Sequence, residues 1–274
     1  MKAAVIGHPV AHSLSPVMHS ANLKALSLSG EYGKADVEEK DLGAFIAKCR
    51  SEGYTGLNIT VPHKVAVMRY LTRLDESVRR YGSCNTVKFC EDGTIEGYNT
   101  DVAGFLQCLA SHGVSIAGRK CRIIGCGGAG GAIAKACVYE GADEVGVSAR
   151  RDESMESLRH ELEALCAKTK LLKVPPGDCR AMRAADIIVN ATPVGLKPGD
   201  GSVLQAECFR PGQFVLDIIP TRTLPPTAAL ARACGADAAG GLEFLVEQGA
   251  RAFEIWTGLR ADRAAMATAL EAEV

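Results

Sequence analysis

The chain has 274 residues, 47% of them hydrophobic, and a formal net charge of -1. That is enough apolar material for one large core or two of ordinary size. The balanced, dispersed charge excludes a basic stripe for nucleic acid, and no run reaches the ~18 apolar residues of a membrane helix.

In chain order, Ala3–Ile6 reads as a short strand running into a turn, too short for the apolar core of a signal peptide. Pro16 to Leu26 has helical spacing opened by Ser15-Pro16. Asp41 to Arg50 is a second helix, with Leu42, Phe45, Ile46 and Cys49 at i, i+3, i+4 and i+7. Gly56 to Val61 alternates as a strand that Pro62 ends. A helix is expected over Lys64 to Leu74, and a hairpin from Asn85–Phe89 and Gly93–Gly97. Such alternation favours a sheet flanked by helices. From about Val102 a linking helix follows.

A second α/β unit begins at Lys120. The strand Cys121–Ile124 runs directly into Gly125-Cys126-Gly127-Gly128-Ala129-Gly130-Gly131, and Ala132–Tyr139 is helical. Next come a strand at Glu144–Ser148 and a helix at Ser154–Ala167 with Leu158, Leu162 and Leu165 on one face. Asp186–Asn190 and Phe214–Ile219 are buried-strand candidates. Phe244 to Leu270 reads as helices returning to the first domain. The expected fold class is α/β. An N-terminal α/β domain covers 1–103, completed by 240–274, and a Rossmann-like nucleotide-binding domain covers 104–239.

Glycines where a strand turns into a helix let backbone N–H groups approach a pyrophosphate, whose charge the helix N-terminus favours. This assigns Gly125, Gly127, Gly128, Ala129 and Gly130 to cofactor binding. At the end of the next strand, an acidic residue would hold the 2′-OH of NAD, and an arginine accommodates the 2′-phosphate of NADP. The chain has Ser148-Ala149-Arg150-Arg151-Asp152, so NADP is expected with NAD also usable. Eleven cysteines with no Cys-x-x-Cys pair, among them Cys49, Cys108, Cys137 and Cys166 in apolar contexts, are expected to be reduced, buried small hydrophobes of a cytoplasmic protein. Their spacing suits no zinc site. Cys126 stands out because it lies in the glycine loop.

Carbonyl reduction, one of the reactions a bound nicotinamide dinucleotide serves, needs a proton donor for the developing alkoxide and groups that fix the substrate. Lys64, closing Asn58-Ile59-Thr60-Val61-Pro62-His63-Lys64, can supply both charge and proton. Asp101, closing Gly97-Tyr98-Asn99-Thr100-Asp101, would orient the amine. Ser13 and Ser15 are two apart, so on an extended loop their hydroxyls share a side. Two such donors suit a carboxylate, although Ser-x-Ser-Pro by itself also reads as a helix cap. Asn58 and Thr60 share one strand face, and an amide both donates and accepts, which suits a ligand that does the same. His12 and His63 are read as structural.

The succession His12-Ser13-Leu14-Ser15-Pro16, the Asn58–Lys64 segment, Cys84-Asn85-Thr86, Asn99-Thr100-Asp101 and the glycine loop resembles the shikimate/quinate dehydrogenase family from about Val5 to Gly258. The resemblance implies that the N-terminal domain binds substrate and that 3-dehydroshikimate is reversibly reduced to shikimate with NADPH, a step of aromatic amino acid biosynthesis. It implies Lys64 and Asp101 as the catalytic dyad, with Ser13, Ser15, Asn58, Thr60, Asn85 and Gln248 holding the ring. It also implies Arg150, Arg151, Asn190, Thr192 and Gly241 as further cofactor contacts. Partners would be small molecules only, with no nucleic acid, membrane or metal, and the chain a monomer or homodimer. Family members with an Arg-Arg-Asp segment use both nicotinamides, so a quinate/shikimate dehydrogenase accepting NAD is the alternative. The family pattern departs at Pro220, where a tyrosine is expected, at Val102, where glycine is usual, and at Phe244, where methionine is common. Pro220 supports a reading of another class, a nucleotide-responsive binding protein that lost efficient catalysis.

Overall fold

In the computed structural model, residues 1–165, 168–197 and 199–273 are described, Asp152 by its backbone alone. The chain divides into two compact units, Met1–Gly104 with Val246–Val274, and Phe105–Leu245.

The first unit is a six-stranded mixed sheet. Its elements are β1 (Lys2–Gly7), α1 (Ser15–Ala25), β2 (Glu31–Asp36), α2 (Leu42–Ser51), β3 (Gly56–Ile59), β4 (Arg73–Leu74), α3 (Glu76–Tyr81), β5 (Thr86–Phe89) and β6 (Ile95–Tyr98). Strand order is β2-β1-β3-β5-β6-β4. β1 pairs in parallel with β2 and β3, whereas β5 runs antiparallel to β3 and β6. Ile6, Leu42, Ile46, Leu57, Ile59, Val67 and Val87 form the core between sheet and helices. The alternation that predicts strand β3 therefore does its work in packing, and the strand's C-terminal end carries the polar residues of the site.

Two local expectations change. The segment 64–74 is no α-helix: a 3-10 turn covers Ala66–Tyr70 and β4 follows. Thr72 N donates to Ile95 O at 2.9 Å and Thr72 Oγ1 accepts from Ile95 N at 2.7 Å, so pairing with β6 outcompetes helix continuation. Strand β2 was not anticipated, since Glu31-Tyr32-Gly33-Lys34-Ala35-Asp36 has little strand propensity. It exists because all six residues pair with β1 at the sheet edge.

The second unit contains β7 (Lys120–Ile124), α5 (Gly128–Tyr139), β8 (Glu144–Ser148), α6 (Asp152–Leu165), β9 (Lys170–Lys173), α7 (Cys179–Arg183), β10 (Ile187–Asn190), β11 (Phe214–Asp217), α8 (Pro226–Ala233) and β12 (Asp237–Ala239). Helix α4 (Thr100–Ser111) leads into this unit, α9 (Gly241–Thr257) leads out of it, and α10 (Arg263–Glu273) packs on α1. The strands run β12-β11-β10-β7-β8-β9, all parallel. This is the doubly wound dinucleotide-binding order, with its topological switch between β7 and β10. Helix α5 starts at Gly128, inside the glycine run, so the loop and the helix N-terminus are one structure. The helix expected to reach Ala167 is described to Leu165; Cys166 and Ala167 lie outside the described residues. Among the described residues no helix is long and apolar enough to cross a membrane.

One cysteine expectation is corrected. Cys179, opening α7, is disulfide-bonded to Cys208, while the eight other described cysteines are free. The bond depends on α7 meeting the 3-10 turn Ala206–Cys208 across 29 residues of sequence, a contact that local spacing does not reveal. Closing a loop of that size stabilises by roughly 3–4 kcal/mol on chain-entropy grounds. Reduction with dithiothreitol is therefore expected to lower the melting temperature by roughly 6–15 °C. An unchanged melting temperature in calorimetry would mean that the bond contributes nothing in solution.

Candidate active site

The site in the first unit is built from the end of β3, the loop after it, the start of α4 and one face of α9. Lys64 Nζ donates to Asp101 Oδ2 at 2.6 Å, with the lysine side chain 14% exposed and the aspartate 4%. The loop is pinned behind the amine, because Cys84 N donates to Lys64 O at 2.8 Å. Asp101 is fixed by its helix: Asn99 is the N-cap of α4, its Oδ1 accepting from Val102 N at 3.1 Å. The carboxylate therefore sits in the first turn, where the helix dipole favours negative charge. Asn99 is itself held by Ser83, whose carbonyl and hydroxyl each accept from Asn99 Nδ2 at 2.9 Å.

Asn85 joins the pieces. Its Nδ2 donates to Thr100 Oγ1 and to Asp101 Oδ1, both at 2.9 Å, and reaches Gln248 Oε1 on α9 at 3.3 Å. Its Oδ1 accepts from Thr100 N at 2.6 Å. Both Asp101 oxygens thus have donors, one a cation and one an amide. Asn58 is buried and fully engaged within the protein: Oδ1 accepts from Tyr32 Oη at 2.6 Å, and Nδ2 donates to Thr86 Oγ1 at 3.2 Å and Asn85 O at 3.3 Å. Thr86 Oγ1 lies 3.1 Å from Thr100 Oγ1, completing a buried polar chain from Tyr32 to Asp101. Every member is satisfied by a neighbour, which is what makes such a network rigid.

Ser13 Oγ donates to Ser15 Oγ at 3.3 Å, so the paired hydroxyls do face one another. Ser13 N donates to Val10 O at 3.0 Å, and Val10 N to Asp36 Oδ2 at 3.2 Å, so edge strand β2 anchors the serine loop. Asp36 also meets His8, and this contact raises the His8 pKa and lowers that of Asp36. Thr60 is half-buried at the end of β3, its N–H donating to Ile6 O at 2.8 Å. His63 is buried with Nε2 2.6 Å from Val37 O, the position of a structural histidine.

Sequence reasoning missed Tyr32, Thr86 and Thr100. Tyr32 is stacked on the buried His19 ring at 4.2 Å between centroids, and burial pushes its phenol well above the ordinary value. Its one sequence signal is a lone aromatic between Glu31 and Gly33 in a stretch with little other apolar surface. Thr86 and Thr100 had a better one, since each directly follows an asparagine already singled out.

In the second unit the glycine loop has the steric form of a phosphate cradle. Gly125 has φ +103°, and a Cβ there would lie 2.9 Å from Ala191 O. A Cβ on Gly130 would lie 2.2 Å from Gly125 O, whereas one on Gly127 would meet nothing within 4 Å. Gly130 therefore serves close helix–strand packing, and Gly127 faces open space at the helix N-terminus, with Gly128 and Ala129 half-buried beside it. The cradle fits a dinucleotide pyrophosphate. Arg150 and Arg151 are exposed just beyond β8; the side chain of Asp152 lies outside the described residues. Asn190 ends β10 and its Oδ1 accepts from Thr192 N and Oγ1 at 3.1 and 2.8 Å. Gly241 opens α9 so close to Ile218 and Ile219 that a Cβ would lie 2.3 Å from the Ile219 carbonyl carbon. Of the departures, Val102 and Phe244 are buried and Pro220 is half-buried after β11. Cys126 is free and half-buried.

Residues 5–87 match the family model of the shikimate dehydrogenase substrate binding domain, and residues 241–271 that of the shikimate 5'-dehydrogenase C-terminal domain. Residues 120–199 match that of the coenzyme F420-dependent NADP oxidoreductases. A shikimate dehydrogenase (NADP(+)) of Rubrobacter xylanophilus is 39% identical over 98% of this chain and 95% of its own. Shikimate 5-dehydrogenase of Thermus thermophilus, solved with NADP(H) and shikimate, superposes with a TM-score of 0.88 at 34% identity, covering all of both chains. Quinate dehydrogenase of Corynebacterium glutamicum, solved with NAD, gives a TM-score of 0.90 at 27% identity over 99% of each chain.

Proposed function

The chain belongs to the shikimate dehydrogenase family, and from that premise we propose that it catalyses the NADP-dependent, reversible reduction of 3-dehydroshikimate to shikimate. The observation that carries the reading is the part-buried Lys64–Asp101 pair at 2.6 Å, embedded in the Asn85 network. The dinucleotide, when bound, supplies the hydride. Lys64 Nζ delivers the proton to the substrate oxygen as negative charge develops there, and in the oxidative direction takes it back. Asp101 Oδ2 holds the amine in line and offsets its charge. Ser13 and Ser15 are the hydroxyl pair for the carboxylate. Asn58, Thr60, Asn85 and Gln248 hold the ring, the two asparagines oriented by the network through Thr86 and Thr100. Gly125, Gly127, Gly128, Ala129 and Gly130 take the pyrophosphate, with Arg150 and Arg151 on the 2′-phosphate and Asn190, Thr192 and Gly241 shaping the wall. The working boundaries are 1–103 with 240–274 for the substrate domain and 104–239 for the nucleotide domain.

Arg150→Ala is expected to raise KM for NADP⁺ by about tenfold while kcat/KM with NAD⁺ changes by less than about threefold, the signature of a lost charge-assisted phosphate contact. Equal losses with both nucleotides would remove Arg150 from that role. The test of the reading as a whole is initial-rate oxidation of shikimate and of quinate, each with NADP⁺ and NAD⁺. Shikimate with NADP⁺ should dominate. A kcat/KM preference for NAD⁺ of about tenfold or more would overturn the cofactor assignment. Comparable quinate turnover with NAD⁺ would establish the second reading, a dual quinate/shikimate dehydrogenase, which Arg151-Asp152 and Tyr98 favour. A cytoplasmic location belongs to this reading: eight free cysteines suit a reducing compartment, and the Cys179–Cys208 bond is the feature at odds with it. A monomer or homodimer completes it.

A further inference from the structure

Asn99 is buried, and its polar groups meet three different segments. Its N–H donates to Ser77 Oγ at 3.0 Å and its Oδ1 accepts from Val102 N at 3.1 Å. Its Nδ2 donates to Ser83 O and Ser83 Oγ, both at 2.9 Å. The orientation of the amide is fixed, because Val102 N can only donate and Ser83 O can only accept. Capping α4 does not by itself call for asparagine. Serine, threonine and aspartate cap as well, since the cap needs only an acceptor. What asparagine adds is a donor at the end of the same side chain, and that donor goes to Ser83.

The Ser83 carbonyl shares one planar peptide unit with the Cys84 N–H. Its oxygen accepts from Asn99, and its N–H donates to Lys64 O at 2.8 Å. Val102 N, on the other side of Asn99, belongs to the peptide unit that leaves Asp101. One side chain therefore joins the peptide that holds the Lys64 main chain to the peptide that follows Asp101. The circuit closes where Lys64 Nζ meets Asp101 Oδ2 at 2.6 Å. Asn85 also reaches α4, but it does so by gripping the Asp101 carboxylate itself and Thr100. Asn99 acts on the two backbones and touches neither reacting side chain.

We infer that Asn99 is a positioning residue for proton transfer: its amide cross-links the Ser83–Cys84 and Asp101–Val102 peptides and so sets where the Lys64 amine and the Asp101 carboxylate meet. This rests on the reading of Lys64 as the proton donor. Asn99→Ser separates the cross-link from the cap. Its hydroxyl can still accept from Val102 N and it adds no charge, but it is too short to reach Ser83 O. The loss should be smaller than that of removing Lys64, because Asn85 still holds Asp101.

The experiment is a double-mutant cycle on shikimate oxidation with NADP⁺, with Asn99→Ser made in the wild-type chain and in Lys64→Ala. In the wild-type chain kcat should fall about tenfold, while KM for shikimate and the affinity for NADPH change less than about twofold. In Lys64→Ala the same change should cost less than about twofold, because the amine it positions is gone. A merely structural asparagine would lower kcat by the same factor in both backgrounds. That result, a kcat within about twofold of wild type in Asn99→Ser, or KM and NADPH affinity worsening in step with kcat would each overturn the inference. Ser83→Ala decides the matter if Asn99→Ser does not fold. It leaves one Asn99 amide hydrogen without its acceptor and should lower kcat about threefold, again only where Lys64 is present; no loss there would overturn the inference. Wild-type turnover in Lys64→Ala would instead overturn the proposed function, and the inference with it.

Discussion

Lys64→Ala is expected to lower kcat by at least roughly 10²-fold, the lower end of what a positioned general acid contributes. The change removes the only side chain in the site that can both donate a proton and carry a positive charge. Lys64 is well placed for that because its freedom is already spent. Its backbone carbonyl is tied to Cys84, its side chain is largely buried, and its amine is docked on Asp101. Removal also strands Asp101 Oδ2, a nearly buried oxygen with no other donor among the described residues. Some loss of stability should therefore accompany the loss of rate. Lys64→Arg separates charge from proton transfer. A guanidinium keeps the positive charge but is always protonated and too wide for the same seat, so this variant should also stay slow. KM for shikimate should change far less than kcat, since Ser13, Ser15, Asn85 and Gln248 remain. Near-wild-type turnover in Lys64→Ala, measured on folded protein, would reject the assignment.

The second large effect is expected at Gly130→Ala. The new methyl carbon would lie 2.2 Å from Gly125 O and 2.9 Å from the Gly125 carbonyl carbon. Both are backbone atoms of the loop itself, with no flexible side chain to yield. Either α5 or the loop must shift, at an overpacking cost of roughly 1–3 kcal/mol, which corresponds to roughly 2–12 °C in melting temperature. Because the displaced atoms shape the phosphate cradle, NADPH should bind at least about tenfold more weakly. Gly127→Ala is the matched control: its φ of -72° is ordinary and its Cβ meets no protein atom within 4 Å. That variant should keep wild-type stability, so any loss of NADPH affinity in it reports the nucleotide itself. Wild-type melting and binding in Gly130→Ala would mean that the loop does not make the close contact described.

Much of this was legible in the sequence because the relevant signals are local. Strand, glycine loop and helix follow one another without interruption at 120–139, and the parallel order of the second sheet is what such units build. The Lys64–Asp101 pairing was legible through the motifs around each residue, although 37 positions separate them. What the sequence hid depends on tertiary partners. Strand β2 is polar and glycine-containing, and it is a strand only because β1 offers it a full row of hydrogen bonds. The stretch 64–74 has helical periodicity, yet Thr72 finds Ile95 first. Tyr32 enters the site through β2, so missing the strand meant missing the phenol that holds Asn58. The Cys179–Cys208 bond likewise joins elements that are distant in sequence. Asn58 and Asn85 were legible as polar residues beside the motifs, but the shared hydrogen-bond network that holds both amides, through Thr86 and Thr100, was not.

The most direct measurement is NADPH oxidation by the purified chain with 3-dehydroshikimate, with the product identified by NMR. NADPH consumption should be matched mole for mole by shikimate, with near-complete loss of that reaction in Lys64→Ala. Tight NADPH binding without conversion of 3-dehydroshikimate would contradict it. That result would point instead to a nucleotide-responsive binding protein, with Pro220 the first residue to replace by tyrosine.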